Sequence, residues 1–237
     1  MDWFCRTELL IGKENLDKLH NSHVMVVGLG GVGAYAAENI CRAGVGQITL
    51  IDGDKINTSN FNRQLIALNS TLGKNKTDVL KDRLLDINPL VNINTITEYI
   101  RDERMIDILS DHFDYVIDAI DTLSPKIFLI YHSLKKNLKI VSSMGSGGKT
   151  NPEMIRITDI SKSYNCTLAR ILRKKLHRLG VFSGVKVVFS AEKSPKDVVI
   201  IDESEPNKKS IVGTISYMPA VFGCMCASVV IRDLIDK

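Results

Sequence analysis

Short apolar runs and amphipathic stretches take turns along the first two thirds of the chain. The runs HVMVVG (23–28), QITLID (47–52), VNINTI (91–96), FDYVIDAID (113–121) and LKIVSSMG (138–145) have the length and β-branched content of buried strands. Between them lie helical stretches. YAAENICRAG is closed by Gly44, KNKTDVLKDRLLDINP stops before Pro89, DERMIDIL is short, and SPKIFLIYHSLKKN carries Pro125 near its start. Strands alternating with helices predict βαβ units: an α/β, Rossmann-like, mostly parallel sheet with helices on both faces. After Gly145 the alternation fades into the turn-rich GSGGKTNPE. Beyond it, EMIRITDI and VKVVFS read as strands, TLARILRKKLHRLG as a helix, and DESEPNKKS as a polar loop. The expected organisation is one continuous fold, with a nucleotide-binding core over 1–148 and a smaller α+β elaboration over 149–237.

Two helices of that second part have a legible pattern. TLARILRKKLHRLG puts Leu168, Ile171, Leu172, Leu176 and Leu179 on one face, with Arg170, Arg173, Lys174 and Arg178 elsewhere. ISYMPAVFGCMCASVVI (215–231) is the most apolar stretch. It is short for a membrane span and contains Pro219 and Gly223, so it reads as a buried helix.

Composition adds little to this picture. The 237 residues are 44% hydrophobic and 24% charged, enough for a sizeable core and ordinary for a globular protein. A net charge of +4 permits a polyanionic partner without requiring one. The N-terminus lacks a basic start followed by an apolar run, so no signal peptide is expected. Five scattered cysteines suit reduced thiols and a cytoplasmic protein. No C-x-x-C pair exists, which argues against a four-cysteine zinc site, and Cys224 and Cys226 read as small core residues.

Chemistry enters with the first strand. Gly28, Gly30 and Gly33, with Gly31 among them, form G-x-G-x-x-G between a strand and a helix. Such a loop brings backbone N–H groups and a helix N-terminus against phosphate, and Asp52 at the end of the second strand is placed to accept from ribose hydroxyls. That much fits NAD or ATP equally. The next segment, DGDKINTSNFNRQ, concentrates Asp52, Asp54, Asn57, Asn60, Asn62, Arg63 and Gln64. That density suits a triphosphate and its metal, and a dehydrogenase would leave it unexplained. Lys74 and Lys76 stand at the next helix start, within reach of phosphate. Asp118 and Asp121 end the fourth strand, where carboxylates suit a phosphate-bridging magnesium ion; the alternative there is a helix cap made by Asp121 or Ser124.

The combination GLGGVG, DGDKINTSNFNRQ, GKNK and DAID resembles the ubiquitin-activating-enzyme-like superfamily of adenylating proteins, the ThiF/MoeB/HesA group, over roughly Phe4 to Gly148. The resemblance implies acyl-adenylate formation from ATP with Mg2+. Asp52 would hold ribose, Asn60 and Arg63 the phosphates, Lys76 the nucleotide, and Asp121 magnesium. FCRTELLIG resembles the family's N-terminal R-x-x-R segment, with Trp3 in place of its first arginine. Arg6 would then reach into a partner subunit's site, implying a homodimer.

RTELLIG, SNFNRQ, DAIDT, PEMIRITDISKS, LARILRKKL and GTISYMPAVFG resemble one subgroup, the TcdA/CsdL family of tRNA threonylcarbamoyladenosine dehydratases. This implies a tRNA substrate, with sulfur-relay proteins as further partners and a monovalent cation as an optional ligand. These enzymes need no acyl-accepting thiol, and Cys166 before LARILRKKL reads as a helix start. Eight Lys/Arg against one Glu between Lys162 and Lys193 suit a phosphate-rich partner. Two other readings remain at this level: an adenylating activator of a sulfur-carrier or ubiquitin-like protein, and a non-catalytic nucleotide-binding protein.

Overall fold

The computed structural model describes residues 3–195, 198–205 and 208–236. Seven strands form one sheet: β1 (His23–Val27), β2 (Gln47–Ile51), β3 (Asn92–Ile96), β4 (Tyr115–Asp118), β5 (Lys139–Ser143), β6 (Ile155–Asp159) and β7 (Lys186–Ser190). Their order is β3-β2-β1-β4-β5-β7-β6. Every neighbouring pair is parallel except β6 with β7. Successive residues of β1 serve two cores. Val24 and Val26 face α3 (Gly33–Ala43), α4 (Lys76–Ile87) and α8 (Tyr217–Ile235); Met25 and Val27 face α5 (Asp102–Ile108), α6 (Leu123–Lys135) and α7 (Thr167–Arg178). A strand covered on both sides has no polar face, which is why these runs are continuously apolar. The sheet grows one way through β1, β2 and β3 and the other way through β4 and β5. The reversal lies between β1 and β4, whose C-terminal ends open a crevice.

Gly44, left-handed at φ 103°, closes α3 as the sequence predicts. The N-terminal helices α1 (Cys5–Ile11) and α2 (Lys13–His20) have no counterpart in the sequence reading. α2 buries Leu16 and Leu19, but α1 buries none of its residues, so no apolar stripe announces it.

Three expectations need correction. DESEPNKKS is not simply a loop: its described part lies in the antiparallel hairpin of β8 (Val199–Glu205) and β9 (Lys208–Val212), while Pro206 and Asn207 fall outside the described residues. The strand-forming run Val198–Ile201 starts a ladder that extends into the polar residues. In α7 the buried residues are Ala169, Leu172 and Leu176, whereas Ile171 and Leu179 are exposed. Small Ala169 takes the contact side where α7 meets α6. Finally, Cys226 is buried but Cys224 is exposed, so only one of the pair is a core residue. Burial pushes the Cys226 thiol up to about 12.

α8 is core. It runs along α3 and touches α2, burying Met218, Phe222, Cys226 and Val230 among others. A Cβ on Gly223 would stand 2.5 Å from the Val32 carbonyl oxygen, so glycine sets how closely α8 and α3 approach. By length and composition α8 could cross a membrane; half of its apolar stretch is buried inside this fold.

Candidate nucleotide-binding site

The glycine loop follows β1 directly. Gly28 has φ +89°, and a Cβ there would lie 2.8 Å from the Ala119 carbonyl oxygen. At Gly33 the clash would be with the loop itself, 1.8 Å from Gly28 O. These two glycines let the chain turn back tightly from β1 into α3. Gly31 rests against Pro219 of α8, whereas Gly30 meets only the Gln64 amide, 3.7 Å from where its Cβ would stand.

Asp52 locks this loop to β2. Its carboxylate accepts from Leu29 N at 2.6 Å and from Asp54 N at 2.7 Å. Burial pushes its carboxyl above the ordinary range, and Lys76, 3.9 Å away, offsets part of that effect. Lys76 is the first residue of α4 and only 3% exposed. Its ammonium donates to Asp54 Oδ2 at 2.6 Å. A helix N-terminus disfavours a cation, so the two carboxylates are what hold this one there. The other Asp54 oxygen accepts from the Tyr99 hydroxyl, and the Tyr99 ring packs over Gly53. Asp54 is thus occupied in positioning Lys76.

The polar segment that follows folds on itself. Asn60, 6% exposed, accepts from Asn57 N through Oδ1 at 3.2 Å. Arg63 is half-buried; its Nη1 donates to Ser59 O at 2.8 Å and Asn62 Oδ1 at 2.7 Å, which aligns the guanidinium beside the glycine loop. Asn62 Nδ2 donates to Thr214 O at 3.0 Å and so ties this segment to the approach to α8. Gln64 Oε1 is buried without a hydrogen-bond partner. An orphaned acceptor beside the open Gly30 costs about 1–3 kcal/mol and fits a donor supplied by a ligand. Lys74 is exposed.

The two carboxylates after β4 part company. Asp118 is fully buried, with Lys126 Nζ at 2.9 Å, Ser142 Oγ at 2.6 Å and Ile120 N at 3.1 Å. Lys126 also donates to Ile120 O at 2.9 Å. Asp118 is therefore a structural tie and is not available to magnesium, contrary to the sequence expectation. Asp121, three residues past β4, is exposed at the open end of the sheet. Neither it nor Ser124 caps α6: the N-cap is Thr122, without a side-chain bond. Among the described residues no three His, Cys, Asp or Glu side chains gather into a metal-binding cluster.

Arg6 stands apart on α1, exposed, next to Leu9 and Leu10, which are 87% and 85% exposed. It makes no hydrogen bond or ion pair among the described residues. Cys166 is the N-cap of α7, its Sγ accepting from Ala169 N at 3.5 Å, which agrees with the helix-start reading. Lys126 and Tyr99 escaped the sequence analysis. Lys126 left one signal, a lysine in an apolar helix five residues after the second DAID aspartate; Tyr99 left none.

The sequence profile described as the ThiF family matches residues 4–237. A tRNA threonylcarbamoyladenosine dehydratase of Bacillus subtilis (strain 168) is 42% identical, over 98% of this chain and 94% of its own length. The crystal structure of the E. coli tRNA N6-threonylcarbamoyladenosine dehydratase in complex with ATP superposes with a TM-score of 0.90 at 32% identity, covering 99% of this chain and 94% of that one. A molybdopterin-synthase adenylyltransferase of Haemophilus influenzae is 38% identical, but over only 45% of this chain and 44% of its own length.

Proposed function

The chain belongs to the ThiF family, and from that premise we propose that it is a cytoplasmic, ATP- and magnesium-dependent tRNA threonylcarbamoyladenosine dehydratase. One observation carries the choice within the family: similarity to the dehydratases runs nearly the length of the chain, while the adenylyltransferases match only 45% to 63% of it.

The chemistry starts with the threonyl carboxylate attacking the α-phosphorus of ATP, with pyrophosphate leaving. The carbamoyl nitrogen then attacks the activated acyl carbon. The acyl–oxygen bond breaks, AMP departs, and the closed ring has lost one water overall. Two anions must meet in the first step, so cations have to neutralise the charge gathering on the phosphate oxygens. Arg63 and Lys76 are the candidates within the cleft, and Arg6 from a second copy of the chain completes the set. Support for that last assignment is the exposure of Arg6 on a helix that buries nothing and carries two bare leucines beside it. Gly28, Gly30, Gly31 and Gly33 admit the phosphates close to the backbone. Asp52 accepts from ribose, while Asn60 and Gln64 line the cleft. Asp54 acts by holding Lys76. Asp121 would hold magnesium against the phosphates, where the ion supplies further charge neutralisation.

The test is to incubate the protein with ATP, magnesium and tRNA bearing threonylcarbamoyladenosine, then digest and weigh the nucleoside. The expected product is lighter by one water. Unchanged nucleoside mass would reject the dehydratase reading, and pyrophosphate exchange driven by a carrier-protein C-terminus would replace it with the activator reading.

A further inference from the structure

α7 carries a cationic face that neither the fold nor the cleft uses. Of the eight Lys/Arg between Lys162 and Lys193, two are consumed internally. Arg173 turns inward, its Nη1 donating to Ser163 O at 2.8 Å and Ile160 O at 3.3 Å. Lys186 pairs with Asp233 at 2.6 Å. Arg170, Lys174, Lys175 and Arg178 are exposed and make no ion pair among the described residues. Glu192, the lone acid of the segment, spends its carboxylate on the backbone of Thr150 and Asn151. Arg170, Lys174 and Arg178 recur every fourth residue, so they form one ridge with about 6 Å between successive cations.

Two exposed aromatic rings stand in the chain just before and just after α7. Tyr164 is 54% exposed, braced edge-on by Phe189 with ring centres 5.4 Å apart. Phe182 is 63% exposed and lies against His177, 5.1 Å centre to centre. Both rings are more than half exposed, and each keeps one ring contact with the protein. The orientation of α7 follows from its ends. Asn165 Nδ2 donates to Ala191 O at 2.9 Å, which fixes the start of α7 at the C-terminal end of β7, the edge where the cleft opens. The chain returns from Leu179 to the other end of β7. The helix, about 18 Å long, therefore leads away from the cleft's edge. β7 is three strands from β1, or about 15 Å across the sheet.

We propose that this ridge, with Tyr164 and Phe182, is an RNA-docking surface that holds a folded RNA by its phosphates and stacks unpaired bases, presenting one nucleotide to the cleft; the inference rests on the tRNA reading above. Cations spaced along a ridge release phosphate counterions, and braced rings stack bases of any sequence. A merely solvated face needs neither the charge asymmetry nor the rings.

The probe is an unmodified tRNA transcript, whose binding requires no catalysis. Its affinity for the full chain is measured by fluorescence anisotropy over a salt series. Combining Arg170→Glu, Lys174→Glu and Arg178→Glu should raise Kd at least about tenfold and flatten the log–log salt slope by about three, with ATP affinity and melting temperature unchanged. Phe182→Ala should weaken binding at least about fivefold without altering the slope. Wild-type affinity and slope in the triple variant would overturn the proposal, as would intact tRNA binding accompanied by loss of an acidic protein partner. The nucleoside-mass assay on wild-type protein keeps the two readings apart. Dehydration without α7-dependent binding sinks only the docking surface; α7-dependent binding without dehydration sinks only the enzyme.

Discussion

Lys76 stands where a helix dipole opposes it, 3% exposed, with Asp54 at 2.6 Å and Asp52 at 3.9 Å. Lys76→Ala leaves two carboxylates facing each other and removes the cation that the proposed mechanism sets against the phosphates. Turnover of ATP should fall about 100- to 1,000-fold, measured as AMP release, with the helical circular dichroism unchanged. Asp233 offers a test by pH. Burial alone would raise its carboxyl, but hydrogen bonds from Lys186 and Tyr115, with Lys139 nearby, outweigh burial and hold it below the usual range. The folded state then binds this proton more weakly than the unfolded chain. Its stabilisation is complete above the unfolded value of about 3.9 and disappears as the pH falls through the lower folded value. Asp233→Asn should therefore cost about 1 kcal/mol in denaturant unfolding at neutral pH, since Lys186 is half-exposed, and the gap should narrow as the pH is taken below about 3.9. The place of Asp52 beside the glycine loop was legible because it directly follows the second strand, next to the strand that leads into the loop. The contacts of Asp54 were not legible, because composition shows a carboxylate but not its partner, and Tyr99 lies 45 positions away in sequence.

The connection from β4 to α6 is held by one buried ion pair. Lys126→Met leaves Asp118 charged in an apolar interior and should destabilise the protein by about 3–5 kcal/mol. Adding Asp118→Asn should recover part of that loss in thermal unfolding; no recovery would assign the cost to packing around Lys126. In the glycine loop, Gly33→Ala must displace the Gly28 carbonyl, so nucleotide binding should be lost in equilibrium dialysis even if the chain folds. Buried parallel strands are the elements a sequence advertises best, because both faces are apolar and turn residues bound them. β1 to β5 and their helices were readable for that reason. The hairpin of β8 and β9 was not, since polar residues continue a ladder that begins before them. α1 was not, because its two leucines face outward and none of its residues is fully buried. The helical period of α7 was visible, but which arc faced inward depended on Ala169, a residue that pattern reading treats as neutral.

At the scale of the whole molecule, the exposed pair Leu9 and Leu10 calls for a cover. Combining Leu9→Asp with Leu10→Asp should shift sedimentation to the monomer and reduce adenylation, while ATP still binds in the intact cleft. Unchanged sedimentation would separate Arg6 from any partner site. α8 has a consequence of another kind. The floor beneath the glycine loop is Pro219 under Gly31 and Gly223 against the start of α3, both far downstream of the loop in sequence. A chain emerging from the ribosome would expose the whole G-x-G-x-x-G signature long before that floor is synthesised. Binding competence would then appear late and abruptly, so a ribosome stalled ahead of α8 should display a nascent chain that ATP cannot protect from protease.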